Sequence, residues 1–236
     1  MLIFELDTKD VRFPFPGGVP EKLRSDDGLF AFGGDLSSER LIQAYANGIF
    51  PWVAFRLGEL HWYCPINRFV IFPNEIHISH SMRNIFNKNE YVITFNKAFD
   101  QVISACSNAN DRFKEEGAWL GKDMIMAYTQ LYELGWAHSV EVWDGEANLV
   151  GGLYGVGMNG CFFGESMFSY VPNGSKIALI KLAQHMQEIG GKMIDCQLET
   201  SHLRSMGGRF VSYEEYMNNN QCYYKEGLYY PDKLIF

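Results

Sequence analysis

Residues 138–197 read HSVEVWDGEANLVGGLYGVGMNGCFFGESMFSYVPNGSKIALIKLAQHMQEIGGKMIDCQ, and this stretch decides the fold. His138 to Trp143 is a short run with Val140 and Val142 on one parity, closed by the turn dipeptide Asp144-Gly145. Two further runs, Leu149 to Val156 and Cys161 to Phe168, flank Gly157-Met158-Asn159-Gly160. Asn-Gly is a strong hairpin signal because both residues tolerate the positive φ of a tight turn. Three antiparallel strands are therefore predicted. Val171 to Lys176 is a loop feeding a helix whose apolar residues Ile177, Leu179, Ile180, Leu182, Ala183, Met186 and Ile189 form a buried stripe, and Gly190-Gly191 stops it. A fourth strand follows over 192–198. Alternation puts Ile194, Cys196 and Leu198 on one face and Met193, Asp195 and Gln197 on the other. Asp195 and Gln197 are thus expected to share a face beside a helix N-terminus.

Upstream, Lys122 to Leu134 has the spacing of an amphipathic helix, with Met124, Ala127, Tyr128 and Leu131 on one side and Gly135 as its stop. The first quarter is punctuated by Phe13-Pro14-Phe15-Pro16-Gly17-Gly18 and Gly33-Gly34-Asp35. One helix stands out there, capped by Ser37, with Leu41, Ala44 and Tyr45 at helical spacing and Gly48 at its end. Residues 1–70 read as a small N-terminal α/β domain and 71–236 as the larger domain, with the boundary between Arg68 and Pro73. From Ser212 onward the chain is polar and tyrosine-rich, and neither packing nor projection is specified.

Of the 236 residues 47% are hydrophobic, enough for a sizeable core. The first ten residues lack a long apolar run and no later stretch approaches a membrane span, so a cytoplasmic protein is expected. The five cysteines are widely spaced without a C-x-x-C pair, which favours reduced thiols. His77 and His80 form H-x-x-H without a third ligand at useful spacing, and neither metal nor cofactor is expected. The formal net charge of −8 argues against coating nucleic acid by bulk electrostatics. Between Lys176 and Arg209, however, five basic residues face three acidic ones, a local balance compatible with holding one RNA end.

Helix, three antiparallel strands, helix, strand is the central order of an acetyltransferase-like (GNAT-like) mixed sheet with flanking helices, so the fold class expected is α+β. Longer motifs make this specific. They are Gly33-Gly34-Asp35-Leu36, Ala44-Tyr45, Gly48-Ile49-Phe50-Pro51-Trp52, His138-Ser139-Val140-Glu141-Val142-Trp143 and Leu149-Val150-Gly151-Gly152-Leu153-Tyr154-Gly155-Val156. Phe163-Gly164-Glu165-Ser166-Met167-Phe168-Ser169, Ser175-Lys176, Ile194-Asp195-Cys196-Gln197, His202 and Ser205-Met206-Gly207 complete the set. In these motifs, over residues 13–210, the chain closely resembles the leucyl/phenylalanyl-tRNA–protein transferase family.

The resemblance implies transfer of leucine or phenylalanine from aminoacyl-tRNA to the N-terminal amine of proteins beginning with Arg or Lys, marking them for degradation under the N-end rule. An aminoacyl ester is already activated, so alignment and oxyanion stabilisation suffice without ATP or metal. The family pattern places Asp195 and Gln197 at the reacting centre. Gln197 is expected to orient and hydrogen-bond, because an amide is not a base; the alternative is a structurally bonded pair on a sheet face. By the same resemblance Trp52 and Trp119 sandwich the terminal adenine, and Leu153, Phe162, Leu179, Leu182, Met186 and Ile194 line an apolar side-chain pocket. Each of these could equally be core.

Glu165 sits at a glycine-flanked, otherwise apolar strand end. It is the candidate to meet the positive charge of the acceptor, or else to form an internal hydrogen bond or salt bridge. Asn173, Ser175 and Lys176 could contact tRNA phosphates at the helix start, where capping is the simpler role. The family's usual Trp-Trp-Ser-Pro-Asp-Pro-Arg is here Trp62-Tyr63-Cys64-Pro65-Ile66-Asn67-Arg68. A monomer is expected. The rival reading is an acyl-CoA-dependent N-acetyltransferase on the same fold, which needs a cradle of backbone donors for a pyrophosphate. Val171-Pro172-Asn173-Gly174-Ser175-Lys176, with one glycine and a proline, fits that poorly.

Overall fold

The computed structural model describes residues 1–54, 59–109 and 121–236. Its first part is a four-stranded sheet of β1 (Phe4–Leu6), β2 (Leu29–Gly33), β3 (Phe50–Ala54) and β4 (Glu59–Tyr63), in the order β1-β2-β4-β3. Helix α1 (Ser38–Ala46) links β2 to β3. As predicted, Ser37 caps it, its side chain accepting from Arg40 N–H, and Gly48 follows with φ of 72°. Strand β5 (Asn67–Ile71) then enters a second, larger sheet.

That sheet is completed after α2 (His80–Lys88), with β6 (Val92–Phe95), helices α3 (Phe99–Ala109) and α4 (Lys122–Glu133), then β7 (Ala137–Trp143), β8 (Leu149–Met158) and β9 (Cys161–Ser169). Next come α5 (Gly174–Glu188), β10 (Met193–Asp195), α6 (Ser201–Ser205), β11 (Arg209–Ser212) and α7 (Tyr213–Asn219). The strand order is β11-β5-β10-β9-β8-β7-β6. The three predicted strands pair antiparallel, with Asn159 and Gly160 both at positive φ in a two-residue turn between β8 and β9. Strand β10 runs parallel to β9, which only the crossover through α5 permits, and antiparallel to β5. The protein is therefore α+β with mixed sheets.

Helix α5 covers one face of the large sheet, where Ile177, Leu179, Ile180 and Leu182 pack with Phe162 and Ile194. Its first residue lies directly on β8: a Cβ added to Gly151 would stand 2.8 Å from Gly174 Cα. The opposite face packs Phe163, Phe168 and Tyr154 against α3, α4 and the N-terminal residues Leu41, Tyr45 and Phe30 in a second cluster. The N-terminal elements thus share a core with one side of the large sheet.

The C-terminal residues pack. Tyr216 and Asn220 are buried, and the Asn220 amide donates to the carbonyls of Tyr45 and Ala46 at the end of α1. A small hairpin, β12 (Tyr223–Lys225) with β13 (Leu228–Tyr230), is held to α1 by Gln43, whose side chain bonds both the carbonyl and the N–H of Tyr229. The ring of Phe236 stacks 4.4 Å from that of His138.

Candidate functional site

A cavity of about 290 Å³ opens where α5, β8, β9 and β10 meet β3 and α6. Its walls include Leu153, Phe162, Leu179, Leu182 and Ile194, five of the six apolar residues expected to form a pocket. Met167 and Leu203 add to the apolar lining, and Phe50, Pro51 and Trp52 of the N-terminal sheet form one side. Met186 lies two turns along α5 from Leu179, where its side chain packs against Gly191, so helical geometry removes it from the cavity. The polar residues of the wall include Glu165, Asp195 and Gln197.

Asp195 is fully buried and has three partners. Its Oδ2 accepts from Arg68 Nη1 at 3.2 Å and from the Tyr216 hydroxyl at 2.8 Å, and its Oδ1 accepts from Gln197 N–H at 2.9 Å. Arg68 lies between the rings of Phe50 and Tyr216, its other terminal nitrogen donating to the carbonyl of Gly48. Burial is the largest influence and lowers the Arg68 pKa, but the Asp195 charge, joined by Tyr216, Cys64 and Tyr213, acts the other way and the net shift is upward. The carboxylate therefore ties β5, β10 and α7 together.

The predicted strand over 192–198 is shorter than expected. Strand β10 ends at Asp195, because Gln197 takes a left-handed φ of 55° and its N–H turns back onto the aspartate side chain. Strict alternation fails at that turn, and Asp195, Cys196, Gln197 and Leu198 all reach the cavity. Gln197 extends Nε2 to within 3.4 Å of Glu165 Oε1.

Glu165 owes its direction to a β-bulge. In the β8–β9 ladder Tyr154 pairs with Ser166 and the next residue, Gly155, with Gly164, so Glu165 is the extra residue. The parity switch is visible in the cores: Phe162 and Met167, five positions apart, belong to the α5 side, while Phe163 and Phe168 belong to the other. Two tyrosines meet the glutamate. Tyr45 of α1 donates to Oε1 at 2.7 Å and Tyr128 of α4 to Oε2 at 2.6 Å, and their hydroxyls are 2.6 Å apart. Burial pushes the Glu165 pKa up to about 7; the two phenols and Arg68 pull it down, and the Asp195 charge adds to the rise. Both phenol pKa values are driven well above their usual range, chiefly by burial, so the tyrosines are neutral donors.

Trp52 stands at the cavity wall, its ring edge-on to Tyr63 at 6.1 Å; Trp119 lies outside the described residues. Asn173 and Ser175 are at the start of α5, apart from the cavity lining. Neither caps by its side chain: Asn173 takes a left-handed φ of 70°, and the local bonds come from the Ser169 hydroxyl, which accepts from Ser175 N–H and donates to the carbonyl of Val171. Burial, then the charge of Lys176, lowers the pKa of His202, bringing the start of α5 into relation with α6. Tyr45, Tyr128, Arg68 and Tyr216 are not among the site residues that the sequence suggests, although Ala44-Tyr45 is one of the family motifs. The first two sit on helical apolar stripes, and their hydroxyls carry no signal at that level; Arg68 closes the stretch Trp62-Tyr63-Cys64-Pro65-Ile66-Asn67-Arg68.

Among the described residues no group of three or more His, Cys, Asp or Glu could hold a metal ion, and no helix is long and apolar enough to cross a membrane. The cysteines, described in full, are all unpaired. Comparison with known proteins fits this architecture to one family. The family model for leucyl/phenylalanyl-tRNA protein transferase matches residues 70–221, and that for its N-terminal domain matches 34–66. A leucyl/phenylalanyl-tRNA–protein transferase of Nitrosomonas eutropha is 52% identical over 200 residues, covering 84% of this chain and 82% of the relative. One from Syntrophus aciditrophicus is 50% identical over 84% of this chain and 81% of its own. A third, from Pseudomonas fluorescens, is 46% identical over 92% and 93%. A solved conserved protein of unknown function from Bacteroides thetaiotaomicron aligns over 73% of this chain and 57% of that one at 11% identity, with a TM-score of 0.45, too low to carry an argument. With both family models matched in order and half of all positions shared with relatives along most of its length, the chain belongs to the leucyl/phenylalanyl-tRNA–protein transferase family and is an aminoacyltransferase.

Proposed function

We propose that this enzyme moves leucine or phenylalanine from the 3′ end of aminoacyl-tRNA to the N-terminal α-amine of proteins beginning with Arg or Lys, as a cytoplasmic monomer, creating an N-terminal degradation signal. The observation that carries the reading is an apolar cavity of about 290 Å³ with Glu165, Asp195 and Gln197 in its wall. A leucine or phenylalanine side chain has only apolar surface to offer such walls, and the polar groups then lie at its α-carbon end. Gln197 is held through its backbone by Asp195 and has a second amide hydrogen beyond the one directed at Glu165, free to hydrogen-bond the ester carbonyl as negative charge develops. Asp195 acts as the anchor of that arrangement, and Glu165 supplies the negative charge that meets the acceptor.

Trp52, with Trp119, stacks the terminal adenine. Asn173, Ser175 and Lys176 lie where the preceding phosphates would pass, with Lys176 the charged contact. We read residues 1–70 as a small N-terminal domain and 71–236 as an acetyltransferase-like (GNAT-like) catalytic domain; the β9–α5–β10 crossover onto a parallel neighbour supports that reading. An acyl-CoA donor is disfavoured by the start of α5. The N–H groups of Gly174 and Ser175 are already directed at Val171 O and the Ser169 hydroxyl, leaving the helix opening with two fewer donors for a pyrophosphate.

The test is transfer of labelled leucine from leucyl-tRNA to two peptides differing only in an N-terminal arginine or aspartate, without ATP or CoA. Labelling of the arginine peptide alone is expected. Labelling of neither, with thermal stabilisation by acetyl-CoA, would replace this reading with the acetyltransferase.

A further inference from the structure

Three oxygen–oxygen contacts close the triangle of Tyr45, Tyr128 and Glu165, at 2.6, 2.7 and 2.6 Å. Each contact needs a proton between its oxygens. Two phenols supply two, so the ring is one proton short while Glu165 is ionised and complete when the carboxyl is protonated. The carboxyl belongs to the wall of the cavity, and its Oε1 also faces the Gln197 amide. A proton delivered from the cavity thus fills the one contact of the triangle that the two phenols leave unbridged, while their donation to the carboxylate still draws its proton affinity down against burial.

We propose that Glu165 is the base of the transfer reaction, taking one proton from the α-ammonium of the incoming protein, with Tyr45 and Tyr128 as positioning residues that hold the carboxyl and set its proton affinity. The proposal rests on the aminoacyl-transfer reading given above. The ammonium gives one N–H proton to a Glu165 oxygen, and its nitrogen lone pair attacks the ester carbonyl carbon, forming the C–N bond as the carbonyl π pair moves to oxygen. That pair returns, the bond from carbon to the ribose oxygen breaks, and the leaving oxygen departs with a second amine proton. The products are the amide and deacylated tRNA. Glu165 releases its proton to water when the elongated protein leaves.

The charge environment suits this step. Tyr45 of α1 and Tyr128 of α4 donate to the carboxyl, and Tyr154 of β8 packs its ring 5.5 Å from that of Tyr128. Asp195 of β10 disfavours ionisation of Glu165 and Arg68 of β5 favours it. Burial dominates and brings the carboxyl to a pKa of about 7, near that of an N-terminal amine at roughly 7.7 to 8.0. Matching of that kind makes proton transfer between the two nearly thermoneutral.

The test is the pH profile of kcat, at saturating leucyl-tRNA and arginine-terminated peptide, for the wild type, Tyr128→Phe and Glu165→Gln. The wild type should show an acid limb near pH 7. Removing the Tyr128 hydroxyl removes a bond to the carboxylate, so the limb of Tyr128→Phe should move to higher pH. Glu165→Gln should lose the limb and fall by a factor on the order of 100 in kcat. An acid limb that persists in Glu165→Gln, or a variant with raised KM and wild-type kcat, overturns the base and leaves a docking charge only. Absence of transfer by the wild type at every pH overturns the transfer reading itself, and the base with it.

Discussion

Asp195 and Arg68 face each other inside the protein, Oδ2 to Nη1 at 3.2 Å, with side chains only 1% and 2% exposed. Asp195→Ala would leave a guanidinium between two aromatic rings without its counter-charge, which typically costs about 3 to 5 kcal/mol. Asp195→Asn keeps one acceptor oxygen, which can take the Gln197 N–H while its amide nitrogen replaces the oxygen that meets Tyr216 and Arg68, so it should cost less than alanine. Urea unfolding of both variants should order them wild type, Asn, Ala; an alanine variant with a wild-type midpoint would refute the structural role of this pair.

Gly155 is the residue opposite the bulge. A Cβ there would stand 2.1 Å from the carbonyl oxygen of Phe163 and 2.6 Å from the Phe162 ring. Backbone has nowhere to move without undoing the register that turns out Glu165. Gly155→Ala should therefore destabilise by about 3 kcal/mol or more and abolish transfer. Thermal unfolding checks the first, and an unchanged Tm would show that the ladder tolerates the methyl group.

Leu153 is 4% exposed and lines the cavity opposite α5. Leu153→Phe enlarges a wall without introducing polarity, so the cavity loses room for an aromatic side chain before it loses room for an aliphatic one. The ratio of kcat/KM for leucyl- over phenylalanyl-tRNA should rise by roughly tenfold. Equal losses with both donors would mean that this wall does not touch the transferred side chain.

His138 is buried beside Phe236, and burial lowers its pKa from 6.5 to about 4. The folded protein therefore binds this proton less readily than the unfolded chain. Its contribution is fully present above pH 6.5 and is lost as pH falls towards 4, with an upper bound of about 3 kcal/mol. His138→Gln should unfold with a shallower dependence of the urea midpoint between pH 6.5 and 4 than the wild type. Parallel curves for the two proteins would remove His138 from the acid sensitivity.

Much of this architecture could be read from residues 138–197, because the signals there are local. Asn159-Gly160 readily takes the positive φ of a tight turn, and the stripe of α5 repeats over four turns. Lys122 to Leu134 was legible for the same reason. The bulge at Glu165 was not, since both parities of that strand are apolar and alternation carries no mark of the extra residue. Alternation puts Gln197 on a regular strand, because an aspartate two residues earlier bonds its N–H only after the chain has turned. Arg68 and Asp195 are separated by 127 positions, and Tyr45 and Glu165 by 120. Such pairs follow from how α1, β5 and β10 stack, which no periodicity records. Met186 shows the converse: it fits the stripe, but a stripe is longer than the cavity it borders.

The triangle around Glu165 joins segments 37, 83 and 120 residues apart. None of its contacts can form by local folding, and each requires closing a long loop, so contacts of this kind are expected to mature slowly. Before α1 docks, Glu165 has at most one phenol partner, and its ring cannot close. During refolding, helix content and even the β7–β8–β9 meander should therefore be regained ahead of transfer activity. The triangle therefore couples activity to assembly: only a chain in which α1, α4 and β9 have docked together surrounds the Glu165 carboxyl with both phenols.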